Sequence, residues 1–153
     1  MTEEDIRRYA RQILLAPIGG AGQVRIIEGS ILLHGPASLC ATYLAAAGLG
    51  RLLVTGPLSE VAASRPGFVQ EEAPPDADAS VVLDLGDGAA YRAASGRRLW
   101  GAAHGRRVRL GGEPVTGPPG ARAAQAVLET LAAGEALLLL LGEEPHSAYD
   151  LEV

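Results

Sequence analysis

The sequence predicts a single α/β domain: a minimal Rossmann-like, mainly parallel sheet with helices on both faces and an N-terminal helical arm. Short apolar runs alternate with segments of helical spacing, which is typical of a parallel sheet. The length of 153 residues fits one domain. A hydrophobic share of 48% against 20% charged residues indicates a chain with a core. We expect the arm to span residues 1–28 and the Rossmann-like core residues 29–153.

The arm begins with a predicted helix over residues 2–15. Thr2 is suited to cap its N-terminus, and three acidic residues follow in the first turn, where the helix dipole favours anions. The apolar residues of this segment recur at helical spacing and form one face: Ile6, Tyr9, Ile13 and Leu14. Because such a face needs a partner surface, we expect a homodimer or a heterodimer.

The core is predicted to alternate strands with helices along the chain. Strands are expected over residues 31–34, 51–55, 68–70, 80–84, 108–115 and 148–153, the last at a sheet edge. Helices are expected over residues 21–28, 37–47, 89–103 and 121–133, the last open to extension into the leucine run that follows. Residues 71–78 hold two prolines and four acids and are expected to form a solvated loop.

The composition excludes several classes of function. A formal net charge of −5 argues against a surface that follows nucleic-acid phosphates. All 13 basic residues are arginines, so chemistry that needs a lysine, such as a Schiff base or a phosphate-loop lysine, is excluded. The single cysteine, Cys40, excludes an internal disulfide framework and a cysteine-based zinc cage.

The sequence also bears on location. The charged N-terminus contains no apolar stretch of signal-peptide length. The longest uninterrupted apolar run, residues 136–141, is far shorter than the roughly 20 residues that cross a bilayer. We therefore expect a soluble, cytoplasmic protein that binds neither membranes nor nucleic acid.

The turn after the first core strand is the place where a dinucleotide fold holds a phosphate. That chemistry needs several backbone N–H groups at a helix N-terminus, and glycines let them approach the anion. Here the turn contains one glycine, Gly35, and Pro36 supplies no N–H donor. The second strand is followed by no acidic residue before Glu60, although a ribose-binding acid is expected near its end. A plain packing turn is therefore favoured over a nucleotide loop.

Charged residues at two other places are candidates for a site. Asp84 and Asp87 lie at the end of a buried strand and could hold Mg²⁺, although a role for Asp87 as cap of the next helix is favoured. The arginines of the arm could stabilise phosphate charge in a partner's site or form a solvated helix face: Arg7, Arg8 and Arg11.

The histidines and the cysteine carry weaker signals. His34, His104 and His146 lack the spacing of metal ligands. Cys40 is expected to be a small buried helix residue and not a nucleophile.

Several segments of the sequence carry a resemblance to a known family. Residues 8–15, followed by Ile18-Gly19 and Gly22-Gln23, resemble the opening RYxRQIxL…IGxxGQ of the ThiF/MoeB/HesA family, the bacterial relatives of ubiquitin-activating E1 enzymes. Residues 31–50 resemble the family's glycine loop and its YLAxAGVG helix end. Residues 81–88 resemble its VxDxxDN strand end, and Tyr149-Asp150 the YD of a late strand. The resemblance is strong over residues 8–55 and weaker beyond them.

The resemblance implies a Rossmann-like dimer that binds ATP and Mg²⁺ and adenylates the C-terminal glycine of a small ubiquitin-like sulfur carrier. Arg11 then matches the arginine that reaches into the partner subunit's ATP site, and Arg8 matches its neighbour. Asp87 matches the aspartate that holds Mg²⁺ and ATP. Gly35 and Ser38 are the remnants of the nucleotide-binding loop.

The chain departs from the family at several of its functional positions. The loop keeps one glycine, the ribose acid aligns with Gly56, and the SNLxRQ motif is missing from residues 63–68. The ATP lysine, the CxxC pairs and the catalytic cysteine are also missing. Because adenylation depends on positive charge and oriented N–H donors around the reacting phosphorus, these losses predict a pseudo-enzyme.

We therefore expect a degenerate E1-like protein without adenylation activity or a resident cofactor. It would act as a dimeric scaffold or partner subunit for an E1-like enzyme, a ubiquitin-like carrier or a peptide. The alternative is a minimal ATP-dependent adenylyltransferase of a sulfur carrier or peptide C-terminus, still using Asp87 and Mg²⁺. Binding of NAD or FAD is a weaker third interpretation. We also expect no deep pocket bounded jointly by Gly35, Ser38 and Asp87.

Overall fold

The computed structural model describes residues 1–35, 37–55, 64, 68–74, 77–86, 95–111, 120–146 and 148–153. Within these residues the helices are α1 (Glu3–Arg8), α2 (Ala10–Ile13), α3 (Gly19–Glu28), α4 (Ser38–Ala47) and α5 (Arg122–Leu141). The strands are β1 (Ser30–His34), β2 (Arg51–Val54), β3 (Val69–Glu72), β4 (Asp78–Asp84), β5 (Ser95–His104), β6 (Arg107–Gly111) and β7 (Tyr149–Glu152).

All seven strands belong to one sheet in the order β3-β2-β1-β4-β5-β6-β7. The first five strands are parallel, while β6 is antiparallel to both β5 and β7. This arrangement confirms the mainly parallel α/β sheet and the edge position of β7. The strand order reverses between β1 and β4, and open α/β sheets bind ligands beyond the strand ends at such a switch point.

Both faces of the central strands are buried, which explains their continuous apolar sequences. On one face, side chains of β1, β2, β4, β5 and β6 form a large cluster with α4 and α5. On the other face, a smaller cluster is formed by Leu32, Leu53, Ala73, Ala77, Ala79 and Val82. The described helices α4 and α5 cover the first face. Among the described residues, the second cluster contains no helix residue, so helices on both faces stay a prediction.

The prediction of a helix over residues 89–103 is wrong from residue 95 onward, because Ser95–His104 forms β5. Its alanines and glycine resemble a small-residue helix, but they alternate between the two faces of the sheet. Leu99 and Ala103 join the α5 face. A Cβ on Gly101, which lies between them, would come within 2.8 Å of Leu128 on α5. The small residue lets the helix pack closely on the strand.

The solvated loop predicted over residues 71–78 is also partly wrong. Glu71 and Glu72 belong to β3, where Arg51 of β2 pairs with Glu71 across the two strands. Ala73 and Ala77 are buried in the second cluster. A short charged strand is typical of a protected sheet edge, and this explains why its composition indicated a loop.

The predicted arm helix is divided in two at Tyr9. Thr2 caps α1 as expected: its Oγ1 accepts from Asp5 N at 3.1 Å, and Thr2 N donates to Asp5 Oδ2 at 2.8 Å. Tyr9 has φ −102° and ψ 15° and is only 7% exposed. Turning this ring towards the core breaks the helix, while Ile6 and Leu14 stay exposed.

Helix α5 confirms the predicted helix and its extension through the leucine run. With 20 residues and a mean hydropathy of 1.6, it is long and apolar enough to cross a membrane by length and composition alone. Half of it is buried inside the fold, where it packs on α4 and on β4, β5 and β6. Its apolar character is therefore accounted for by its place in the core.

Candidate functional site

The turns that follow β1 and β4 touch at the switch point of the sheet. Leu85 N donates to His34 O at 2.9 Å, which extends the strand pairing by one residue. Gly35 has φ +103°, and a Cβ there would lie 2.8 Å from the backbone carbon and oxygen of Leu85. Only glycine combines this backbone conformation with so close an approach. Backbone contact between these two turns therefore narrows the space in which a ligand would be expected to bind.

Side chains at neighbouring strand ends bond to one another or to their own turns. His34 Nδ1 lies 2.6 Å from Thr55 Oγ1. The His34 ring packs on Gly86, where a Cβ would come within 2.6 Å of Cδ2 and Nε2. Asp84 is buried, and its Oδ1 accepts from Gly86 N at 3.1 Å. The Asp84 carboxylate thus fixes the turn after β4.

The N-terminus of α4 follows β1 directly and has no side-chain cap of its own. The cap residue is Ala37, which has no hydrogen-bonding side chain. Instead, Glu129 Oε2 on α5 accepts from Leu39 N at 2.8 Å and from Cys40 N at 3.2 Å. A carboxylate 90 residues away in the chain therefore satisfies two N–H groups that have no partner within the helix.

Glu129 is held as a buried carboxylate. Its side chain belongs to a residue only 7% exposed, and its second oxygen accepts from Gln125 Nε2 at 3.3 Å. Among the residues that the structure describes, it forms no salt bridge. The helix N-terminus and the Gln125 amide therefore compensate its charge, in the way that helix termini stabilise bound anions.

A second buried glutamate on α5 has a different set of donors. Glu135 accepts from His146 N at 3.0 Å, from His146 Nδ1 at 2.8 Å and from Tyr149 Oη at 2.7 Å. Burial opposes ionisation of Glu135, but these hydrogen bonds outweigh it and hold the pKa of the carboxyl below its usual value. This cluster ties the segment before β7 to α5.

The structure gives Cys40 a structural place. Cys40 is fully buried in α4. Burial, and secondarily the Glu129 carboxylate, raises the pKa of its thiol far above the usual range. The thiol is therefore protonated at neutral pH and a poor nucleophile, as its interpretation as a core residue predicts. Within the described ranges, no three histidine, cysteine or acidic side chains are grouped to hold a metal ion.

The sequence-predicted site residues lie in separate places. Gly35 forms the tight turn against Leu85, and Ser38 is exposed at the start of α4. Asp87 lies outside the described residues, so the expected absence of a pocket bounded by all three stays a prediction. Arg8 pairs with Glu4 on α1 at 2.6 Å, and Arg11 is exposed on α2.

Residues of the first resembling motifs join the arm to the core. A Cβ on Gly48 would lie 2.7 Å from Tyr9 Cζ and 2.9 Å from Gln23 Nε2, so both side chains pack against this glycine. Gln23 is fully buried and Nε2 donates to Ala47 O at 3.0 Å. Gly48 adopts φ +95° as the C-cap of α4. The packing of the arm on α4 therefore explains why Tyr9, Gln23 and Gly48 occur in these motifs.

Glu129 is the residue of this region that the sequence analysis missed. Its partners are backbone groups of a segment 90 residues earlier in the chain, which no local pattern reveals. The available signal was that α5 is mostly apolar and yet carries two acidic side chains, Glu129 and Glu135. Buried carboxylates need donors, so both were candidates for long-range hydrogen bonds.

The residues at the α4 N-terminus do not fit the nucleotide phosphate that the family resemblance implies. Two of the N–H groups that would face a phosphate already bond to a carboxylate. A phosphate placed there would meet the Glu129 charge at close range, and like charges in a buried site repel strongly. We therefore derive no chemistry through ATP or Mg²⁺ at this position.

Comparisons with known proteins support the resemblance. Over 55 residues, the chain is 46% identical to the adenylyltransferase and sulfurtransferase MOCS3 of Bos taurus and 47% identical to MOCS3 of Danio rerio. Each match covers 34% of this chain and 12% of the relative, so the chain corresponds to only a small part of these proteins. No family model matches the chain.

Solved structures show the same fold over nearly the whole chain. MccB of E. coli, in a complex with AMPCPP and MccA, has a TM-score of 0.72 at 11% identity, covering 100% of this chain and 71% of MccB. PaaA has a TM-score of 0.71 at 13% identity, covering 100% of this chain and 81% of PaaA. The chain thus shares the fold of MccB and PaaA.

Proposed function

We propose that this E1-like chain acts as a dimeric scaffold or partner subunit and performs no adenylation of its own. The observation that carries the proposal is the exposed apolar surface of the arm, on α1 and in the turn after α2. Ile6 is 49% exposed, Leu14 84% and Leu15 53%. Association would remove this surface from water, at roughly 25 cal/mol for each Å² buried.

A groove beside the arm supports the same proposal. It has a volume of about 340 Å³ and runs between α4 and α5 next to Gln12 of α2. Small or apolar residues line most of it: Ala46, Ala47, Ala133, Gly134 and Leu137. Tyr43, on its rim, is 47% exposed. Aromatic side chains and apolar grooves are typical of surfaces that receive a protein or peptide.

The proposed partners are an E1-like enzyme, a ubiquitin-like carrier or a peptide. Solved complexes of MccB with MccA support a partner of this kind, because MccB shares the fold. We assign Arg11 and Arg8 to the same interaction as remnants of the family's cross-subunit arginines. Arg11 is exposed and lies beside the apolar positions of the arm.

Three observations support the loss of adenylation. The chain contains no lysine, and the turn at Gly35 holds a single glycine. Glu129 already occupies two N–H groups of α4. Losing one donor to a transition-state oxyanion typically costs about 10²–10³ in rate. The same proposal includes a cytoplasmic location without membrane or nucleic-acid partners. The net charge of −5 argues against the nucleic-acid partner.

Light scattering after size exclusion tests the dimer. We expect twice the chain mass of 15.7 kDa at micromolar concentration. Leu14→Asp should shift the protein towards the monomer, whereas Leu151→Asp, at an exposed leucine of β7, should leave the mass unchanged. A wild-type monomer that also forms no complex with an E1-like enzyme, a carrier or a peptide would contradict the proposal.

Mixing the chain and its variants with an E1-like enzyme tests the choice of partner. In the heterodimer form of the proposal, Arg11→Ala lowers the activity of an E1-like partner without abolishing the complex, because the arginine acts across the interface. Arg7→Ala is the matched control, since Arg7 pairs with Glu3 on its own helix. Equal activity with both variants would contradict a role for Arg11.

The second candidate is a minimal ATP-dependent adenylyltransferase that uses Asp87 and Mg²⁺. It is favoured by the activity named for MOCS3 and by a structure of MccB with ATP. Calorimetry with ATP and Mg²⁺ separates the two candidates. Binding tighter than about 1 mM, or about −4 kcal/mol, that is lost in Asp87→Asn would favour the enzyme.

A further inference from the structure

We propose that Glu129 is a built-in substitute for a ligand's phosphate: an intramolecular carboxylate that closes the anion-binding N-terminus of α4. The inference rests on the proposed function and deepens it, because it names the contact that keeps this site from a nucleotide. The class of ligand excluded is an anion with phosphate oxygens, whether inorganic phosphate or the phosphate chain of a nucleotide.

The position of the contact is the first argument. Helix α4 leaves the sheet at β1, beside the switch point between β1 and β4. In open α/β sheets, a helix that starts there presents its N–H groups to a ligand anion. Glu129 is brought to this point from the middle of α5, which packs along α4.

The geometry of the contact is the second argument. Oε2 accepts from two successive backbone N–H groups, at 2.8 Å and 3.2 Å, and Oε1 accepts from the Gln125 amide at 3.3 Å. Both oxygens are therefore engaged, as the oxygens of a bound phosphate would be. Because Ala37 supplies no side-chain cap, the helix depends on this distant carboxylate for those two N–H groups.

The charge of the contact is the third argument. Glu129 is 7% exposed and, among the described residues, has no cationic partner. A buried carboxylate held by two backbone N–H groups and one neutral amide indicates that the α4 N-terminus stabilises an anion. The N-terminus of α4 is thus suited to a phosphate, but the Glu129 carboxylate already occupies it. An incoming phosphate must displace Glu129 or approach it against charge repulsion.

The test is anion binding by variants of Glu129. Glu129→Ala removes the carboxylate and opens its space, while Glu129→Gln keeps the length and one acceptor oxygen and guards against misfolding. Glu135→Ala is the matched control, because Glu135 is a second buried glutamate of α5 whose donors belong to His146 and Tyr149. Inorganic phosphate, ATP and adenosine are titrated into each protein, and the amide signals of Leu39 and Cys40 are followed by NMR.

We expect both Glu129 variants to show saturable shifts of the Leu39 and Cys40 amides with phosphate and with ATP. Binding to Glu129→Ala should be about tenfold or more tighter than to the wild type or to Glu135→Ala, the factor that corresponds to a helix-terminus anion contact. A response to ATP alone would mean that the nucleotide, and not free phosphate, is the ligand excluded.

Three results would overturn the inference. The first is that neither Glu129 variant gains binding. The second is that the wild type binds phosphate as tightly as the variants do. The third is that adenosine alone produces the shifts. None of these results changes the tests of association. A monomeric wild type that also binds no E1-like enzyme, carrier or peptide would contradict the proposed function and leave the role of Glu129 intact.

Discussion

The N-terminal arm and the turn between β1 and α4 differ in what each leaves open to solvent. On the arm, three large apolar side chains are exposed, and Arg11 lies beside them. At the turn, Gly35 touches the backbone of Leu85, and the first N–H groups of α4 bond to Glu129. The arm therefore exposes apolar surface that a partner could bury. At the turn, two backbone N–H groups of α4 already have an acceptor within the chain.

The proposed function follows from this difference: the chain would bind a protein partner without binding a nucleotide. Protein association needs exposed apolar area, which the arm retains. Nucleotide binding needs free donors and positive charge around phosphate, and here two of the donors are occupied and the lysine is missing. The same Rossmann-like frame supports both regions, so the fold alone does not decide between the functions.

The largest effect is expected where the arm is anchored. Tyr9→Ala should lower the free energy of unfolding by about 3–5 kcal/mol, because it removes a buried aromatic ring that packs on Gly48. Arg7→Ala is the control, since Arg7 is exposed on α1, and it should change stability by less than about 0.5 kcal/mol. Chemical denaturation measures both. Similar losses for the two variants would show that the arm is not anchored through Tyr9.

The next largest effect on stability is expected at a glycine of the turn after β1, and a glycine of the arm serves as its control. Gly35→Ala should cost about 2–4 kcal/mol, because it combines a strained backbone with overpacking against Leu85. Gly19→Ala, at φ +59° with no atom within 4 Å of the added Cβ, should cost about 1 kcal/mol from backbone strain alone. Equal losses in thermal unfolding would mean that the turn at residue 35 is not tightly packed.

A smaller effect concerns the capping of α4. Glu129→Ala should lower stability by about 1–3 kcal/mol, because it leaves buried N–H groups without an acceptor. Glu129→Gln should cost less, since its amide oxygen can still accept from Leu39 or Cys40. Phosphate should recover part of the loss in the alanine variant, because a ligand that binds only the folded state stabilises it. No difference between the two variants would contradict the capping role.

The smallest effect is a pH dependence at the other buried glutamate of α5. The folded pKa of Glu135 is held below its usual value of 4.5, so its contribution is present at neutral pH and is lost as the pH falls below that value. The hydrogen bond to Glu135 raises the pKa of Tyr149 above 10.0, so stability should also fall above pH 10. Unfolding curves across pH measure both limbs. Glu135→Gln should reduce the loss of stability at low pH. An unchanged loss would contradict its assignment to Glu135.

The central strands could be predicted from the sequence because their apolar runs are bounded by glycines. The ends of β1 and β2 differ from the predicted ends by one residue. Strand β5 could not be predicted in the same way, because the alanines and glycine of residues 101–103 satisfy both helical and strand patterns. Only the neighbouring β4 and β6, together with α5, decide in favour of a strand.

The candidate site divides along the same line. The single glycine and the missing lysine are visible in the sequence and predict a weakened nucleotide site. The role of Glu129 is not visible in the sequence, because a hydrogen bond between segments 90 residues apart depends on how α5 packs against α4. The arm shows both situations: its cap at Thr2 is local and predictable, whereas the break at Tyr9 depends on contact with Gly48.

The most direct test of the central claim, a retained partner surface beside a closed nucleotide site, is calorimetry of the wild-type chain with ATP and Mg²⁺. We expect no binding tighter than about 1 mM, in a sample that light scattering shows to be associated. Submillimolar binding that Asp87→Asn abolishes would contradict the account and would establish a working nucleotide site.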